Sequence, residues 1–157
     1  MLLYHASDRE ISAPDVLHSR RNVDFGRGFY TTPIREQADK WGERFLRRGK
    51  GAVISRYAYD EAAASALRVL TFPSYSDEWL DFIRTCRREL DETDYDIVVG
   101  GVANDRVFNT VELYNDGLIP REEAIRRLRY EKPNLQICFR TQRAIDAGLR
   151  FEGSEER

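Results

Sequence analysis

Strand-patterned and helix-patterned segments alternate irregularly along this chain, and that order constrains the fold more than any single motif. Leu2 to His5, Ala52 to Tyr59, Arg68 to Phe72, Tyr95 to Val102 and Leu135 to Phe139 read as strands. Between them, Ile34, Ala38, Trp41 and Phe45 recur at helical spacing, with Thr32 placed to cap, Pro33 at the first helical position and Gly49 as the stop. Further helices are predicted from Ser76 (Trp79, Ile83, Cys86 and Leu90 inward), from Asn104 or Asp105 to Gly117 (Val107, Val111 and Tyr114 inward), from Pro120 through Arg129, and from Thr141 to Gly148. Without a regular β-α-β alternation, this order predicts an α+β fold with a largely antiparallel core. No repeat or low-complexity linker interrupts it, so residues 1–152 read as one domain and the polar residues 153–157 as a frayed tail.

Charge gives little direction to the function. The 27 acidic and 25 basic side chains nearly cancel, leaving a formal charge of -2, so no global field draws the chain to nucleic acid or an anionic membrane. The arginine pairs at 20–21, 47–48, 87–88 and 126–127 fit solvated helix and loop surface or a local basic patch. Cys86 and Cys138 sit in apolar segments outside any ligand spacing and read as reduced core residues. His5 and His18 are the only histidines, and no metal site is expected. Neither a membrane span nor a signal peptide is apparent, which predicts a cytoplasmic protein.

Two short segments concentrate the chemistry. In Tyr4-His5-Ala6-Ser7 a strand ends on an imidazole and a hydroxyl, and in Phe25-Gly26-Arg27-Gly28-Phe29-Tyr30 two glycines free the backbone ahead of an aromatic strand. Taken singly, each has an ordinary structural explanation: a histidine at a strand end, and a turn entering a strand. The polar stretch between them, Ala6 to Asp24, is long enough to suggest a functional loop.

In that order the two segments resemble the donor site of the ADP-ribosyltransferase superfamily, in particular its poly(ADP-ribose) polymerase-like branch with a His-Tyr-Glu triad. There the first strand ends in His-Gly-Ser or His-Gly-Thr, and a later segment reads Phe-Gly-Lys-Gly-Ile-Tyr before a helix. The rest of the chain, including Tyr95 to Gly100 and Leu135 to Phe139, is similar to a bacterial family grouped with these transferases, sometimes encoded as a toxin beside a small partner. The resemblance implies a split antiparallel β core flanked by helices. It implies NAD as substrate, its ADP-ribose passing to a macromolecular acceptor with release of nicotinamide, and a small antitoxin-like protein partner. The alternatives are NAD hydrolysis or a catalytically weak NAD-binding module that acts through a partner.

Carried over by position, the resemblance gives His5 the ribose hydroxyls of NAD and the backbone at Ala6, beside Ser7, the nicotinamide carboxamide. It sets Gly28 and Phe29 along the donor and Tyr30 against the nicotinamide ring. Trp41 falls where a second aromatic closes the ring sandwich, although its helical spacing equally makes it core. Arg20 or Arg21 is suited to the pyrophosphate, or is loop surface. The third triad position is Gln136, where the family has Glu; an amide orients ribose but supplies no full charge to an oxocarbenium-like state. Glu112 and Asp105 are the acids considered as substitutes.

Overall fold

The computed structural model describes residues 1–20, 23–129 and 133–157. Its elements run β1 (Leu2–Ser7), β2 (Phe29–Thr31), α1 (Arg35–Arg47), β3 (Val53–Tyr59), α2 (Glu61–Ala64), β4 (Val69–Thr71), α3 (Asp77–Arg87), β5 (Ile97–Gly100), α4 (Asp105–Asn115), α5 (Arg121–Arg129), β6 (Gln136–Phe139), α6 (Gln142–Gly148) and β7 (Leu149–Glu156). Among the described residues the strands form two sheets, ordered β1-β3-β7 and β2-β6-β5-β4, antiparallel except for the β4–β5 pair. This is the α+β architecture that the order of segments predicts.

Period-2 alternation sorts the side chains into layers. One face of the first sheet supplies Leu3 and Tyr57 to a core shared with Phe29, Ile137 and Phe139 of the second, closed by Ala144 and Ile145 of α6. The opposite face of the first sheet carries Ala6 and Ile54 against Ala38 of α1, with Trp41 and Phe45 at the margin. The second sheet presents Val98 and Cys138 to Trp79, Leu80 and Ile83 of α3 and to Val107 and Val111 of α4. Both cysteines are free and buried, and burial pushes each thiol up to about 12.

Local chemistry sets most helix starts. Asp60, Ser76, Asn104 and Thr141 each accept a hydrogen bond from a backbone N–H in the first turn of their helix. The start of α1 differs from the sequence expectation. Thr32 is still bound to β1 through its backbone, so its hydroxyl caps Ile34 N–H in a turn at 3.1 Å, and the helix begins at Arg35. Leu90 is 65% exposed rather than inward, because α3 ends at Arg87 and the chain turns at Glu89, whose φ is +58°. Tyr114, also expected inward, is 36% exposed.

The C-terminal tail, expected to fray, is the second half of β7. Glu155 and Glu156 pair with Ile54 and Val53, Arg35 reaches Glu155 at 3.0 Å, and Arg157 reaches Asp39 at 2.8 Å. Backbone pairing does not need apolar side chains, so the polar composition of this segment conceals a strand. Among the described residues no helix is long and apolar enough to cross a membrane.

Candidate functional site

The two sheets meet where β1 touches β2. Tyr4 N–H donates to Thr32 O at 2.9 Å and Thr32 N–H donates to Tyr4 O at 3.0 Å, the one isolated bridge among the described residues. In an antiparallel strand the backbone groups of alternate residues face opposite edges. Tyr4 therefore turns its N–H and C=O towards β2, and so does Ala6, two residues on. The strands have parted there, so the Ala6 pair faces the gap.

His5 spans the same gap. Its ring stacks on Phe29 with centroids 4.3 Å apart, and Nδ1 lies 2.7 Å from Tyr30 O. A carbonyl only accepts, so Nδ1 carries the proton and Nε2 keeps its lone pair. Burial lowers the pKa of His5 despite the opposing effect of that hydrogen bond, so the imidazole is neutral at pH 7. The result is a fixed acceptor at the sheet junction.

Tyr30 serves its own loop. Its hydroxyl donates to Gly26 O at 2.5 Å and accepts from Phe25 N–H at 2.9 Å, tying down the turn before β2, and burial pushes the phenol well above its ordinary pKa. The absence of a side chain at Gly28 is explained by packing: a Cβ there would lie 2.5 Å from Cys138 Sγ and 2.8 Å from Phe139 O. The close approach expected of a ligand at Gly28 is thus made by β6. Trp41 is half-buried beside Ala6 and Ala38, so core contact and proximity to the Ala6 edge coexist. Ser7 is half-buried with its hydroxyl 3.5 Å from Asp8, Arg20 is exposed, and Arg21 lies outside the described residues.

Gln136 opens β6 and is 3% exposed. Its Nε2 donates to Asp24 Oδ2 at 3.1 Å and to Gly101 O at 3.3 Å. Asp24 also accepts Arg87 Nη2 at 2.7 Å, Arg87 Nε at 3.1 Å and Ala103 N–H at 2.9 Å. The neighbouring Leu135 is gripped by Gln37 of α1, whose amide exchanges bonds of 2.9 and 3.0 Å with the Leu135 backbone. One helical turn beyond Gln37 stands Trp41. The structure thus gathers His5, Phe29 and the Tyr30 backbone in one group, joins Ala6 to Trp41 in a second, and seats Gln136 on Asp24 in a third.

The substitute acids are placed elsewhere. Glu112 pairs with Arg84 at 3.1 Å, bracing α4 against α3, and Asp105 lies in the first turn of α4. The sequence marks neither Asp24 nor Gln37 and reads Arg87 as solvated surface or basic patch, whereas its guanidinium is paired with Asp24; Asp24 directly precedes the glycine segment, but nothing local marks its distant partners. A cavity of about 640 Å³ lies at the other end of β6, around Arg27, Asp91, Asp96, Arg140 and Arg143, and His5 does not line it. There Arg140 pairs with Asp91 and Arg143 with Asp96, while Arg27 donates to the Val16 and Leu17 carbonyls. Among the described residues no three His, Cys, Asp or Glu side chains are grouped to hold a metal ion.

Fold and site together define an α+β protein with a neutral histidine and an open backbone edge at the junction of two sheets. The chain belongs to the DUF3990 family, described as proteins of unknown function, whose model matches residues 1–151. No curated protein and no solved structure matches it.

Proposed function

We propose that this chain binds NAD at the sheet junction and transfers its ADP-ribose to a macromolecular acceptor, as an ADP-ribosyltransferase-like domain with a split antiparallel core. The observation that carries the reading is the Ala6 edge: an N–H and a C=O side by side are the complement of a carboxamide, which offers one acceptor and two donors. His5 stands next to it with Nε2 as an acceptor for a ribose hydroxyl. Trp41 and Tyr30 supply aromatic surface, and stacking on such rings contributes roughly 0.5–1.5 kcal/mol beyond area burial.

In the reaction the bond between C1′ of ribose and the nicotinamide nitrogen breaks, and nicotinamide leaves as a neutral molecule with the electron pair. The acceptor nucleophile forms the new bond to C1′ and gives up a proton. Gln136 orients the ribose without adding charge, so turnover is expected to be slow; loss of one preorganised electrostatic partner commonly costs about 10²- to 10³-fold. The neutral amide at 136 also supports a second reading, an NAD-binding module that acts through a partner protein. Calorimetry showing NAD binding without nicotinamide release for any acceptor would select it.

The test is nicotinamide release from NAD by purified protein with candidate protein and nucleic-acid acceptors. Ala6→Pro deletes the N–H that faces the gap while leaving the β1–β3 ladder donors in place, and His5→Ala deletes the acceptor. Each should lower kcat/KM about 10- to 100-fold, the scale of one or two lost buried hydrogen bonds. Rates equal to wild type in both variants would sink the proposal.

A further inference from the structure

Both partners of Gln136 Nε2, Asp24 Oδ2 at 3.1 Å and Gly101 O at 3.3 Å, are acceptors. The amide therefore cannot flip without setting Oε1 against two oxygens. Among the described residues Oε1 accepts no hydrogen bond, yet the only fully buried side-chain polar atom without a partner there is Arg56 Nε. Oε1 thus keeps an opening to the outside, and it can only accept.

We propose that Asp24 is a positioning residue that fixes the orientation of the Gln136 amide and so presents Oε1 to a ribose hydroxyl. The inference rests on the NAD reading of this site. Asp24 suits the task because it is itself immobilised: its side chain is 14% exposed and is held by Arg87 and the Ala103 N–H. The arrangement also accounts for glutamine at this position. A glutamate in the same place would set its carboxylate against Asp24 and the Gly101 carbonyl, three acceptors with no proton among them. Carboxylate and amide form one unit, with the charge at 24 and the amide at 136.

Four proteins test this: wild type, Asp24→Asn, Gln136→Glu and the double variant, in which the amide introduced at position 24 can donate to the carboxylate introduced at position 136 at the expense of the bond that Oδ2 accepts from the Ala103 N–H. Each is measured for its thermal midpoint and for NAD binding and nicotinamide release. Each single change should lower the midpoint by roughly 5 °C, and the double variant should lose clearly less than their sum. Asp24→Asn should weaken NAD binding about 10-fold by freeing the amide to flip, and the double variant should regain it and exceed wild type in kcat by about 10-fold or more through its carboxylate. Additive midpoint shifts would overturn the pairing itself. Coupled shifts with unchanged NAD binding in Asp24→Asn would overturn the positioning role and leave the donor-site reading standing. If wild type binds no NAD, that reading and the positioning role fall together, and wild type alone reveals it.

Discussion

The two ends of β6 use the same device to different effect. At one end Asp24 accepts an arginine, a backbone N–H and the Gln136 amide; at the other Asp96 accepts Arg143 at 2.8 and 2.9 Å, the Thr141 hydroxyl at 2.8 Å and Arg68 N–H at 3.0 Å. Asp96 is 0% exposed, and Arg143, followed by the Arg68 N–H and Thr141, holds its carboxyl down to about 2. Every partner of Asp96 belongs to the scaffold, tying α6 to the lead into β5 and to the segment before β4. Asp24 instead ends its chain of bonds on a side chain with one atom still unspent. A buried acid whose partners are all satisfied strengthens a fold; one that orients a half-satisfied neighbour prepares a site.

The contrast can be broken by paired truncation. Asp96→Ala should cost about 2–3 kcal/mol in urea unfolding, since it strips the Arg68 N–H and the Thr141 hydroxyl of their acceptor while Arg143, 67% exposed, turns to water, and Asp24→Ala nearer about 1–2 kcal/mol because its site is partly open. A larger loss at Asp24 than at Asp96 would mean that both ends are scaffold. Acid sharpens the same comparison. The Asp96 carboxyl lies near 2 in the folded chain against an ordinary 3.8, so its contribution is fully present above pH 3.8 and is lost as pH falls through about 2. Stability in that window should fall less steeply in Asp96→Asn than in wild type.

Between the two ends, Gly28→Ala drives a Cβ into Cys138 and the Phe139 backbone and should cost about 1–3 kcal/mol, visible as a lowered thermal midpoint. A neutral result would return Gly28 to the role of ligand approach. The smallest effect is expected at Glu89, which lines the cavity at the Asp96 end with a φ of +58°. Glu89→Gly should stabilise by about 0.5–1 kcal/mol through relief of the left-handed backbone, with NAD binding unchanged. A weakened affinity for NAD would show that the two ends are coupled.

Much of the scaffold was legible locally. The helix stop at Gly49, the helix starts at Ser76, Asn104 and Thr141, and the inward faces of α1 and α3 follow from rules that operate within a few residues of sequence. At Leu90 and β7 local pattern and structure diverge for opposite reasons. A helical pattern continued past the point where the backbone turned, and a strand was disguised because its support comes from β3 and α1. In the candidate site the sequence singles out His5 as the end of the first strand, whereas β1 runs on to Ser7 and places His5 and Ala6 inside it; it does not single out Asp24, since its partners Arg87, Ala103 and Gln136 are 63, 79 and 112 residues away.

By itself, then, the sequence determined the class of fold and most helix boundaries, because propensity, capping and periodicity are local. Only the tertiary structure decided that β1 and β2 part beyond Tyr4, that the Ala6 backbone faces the opening, and that a carboxylate stands behind Gln136 rather than at it. Those outcomes depend on strand pairing and on buried polar groups finding partners across the chain, and neither is written in any one stretch of residues.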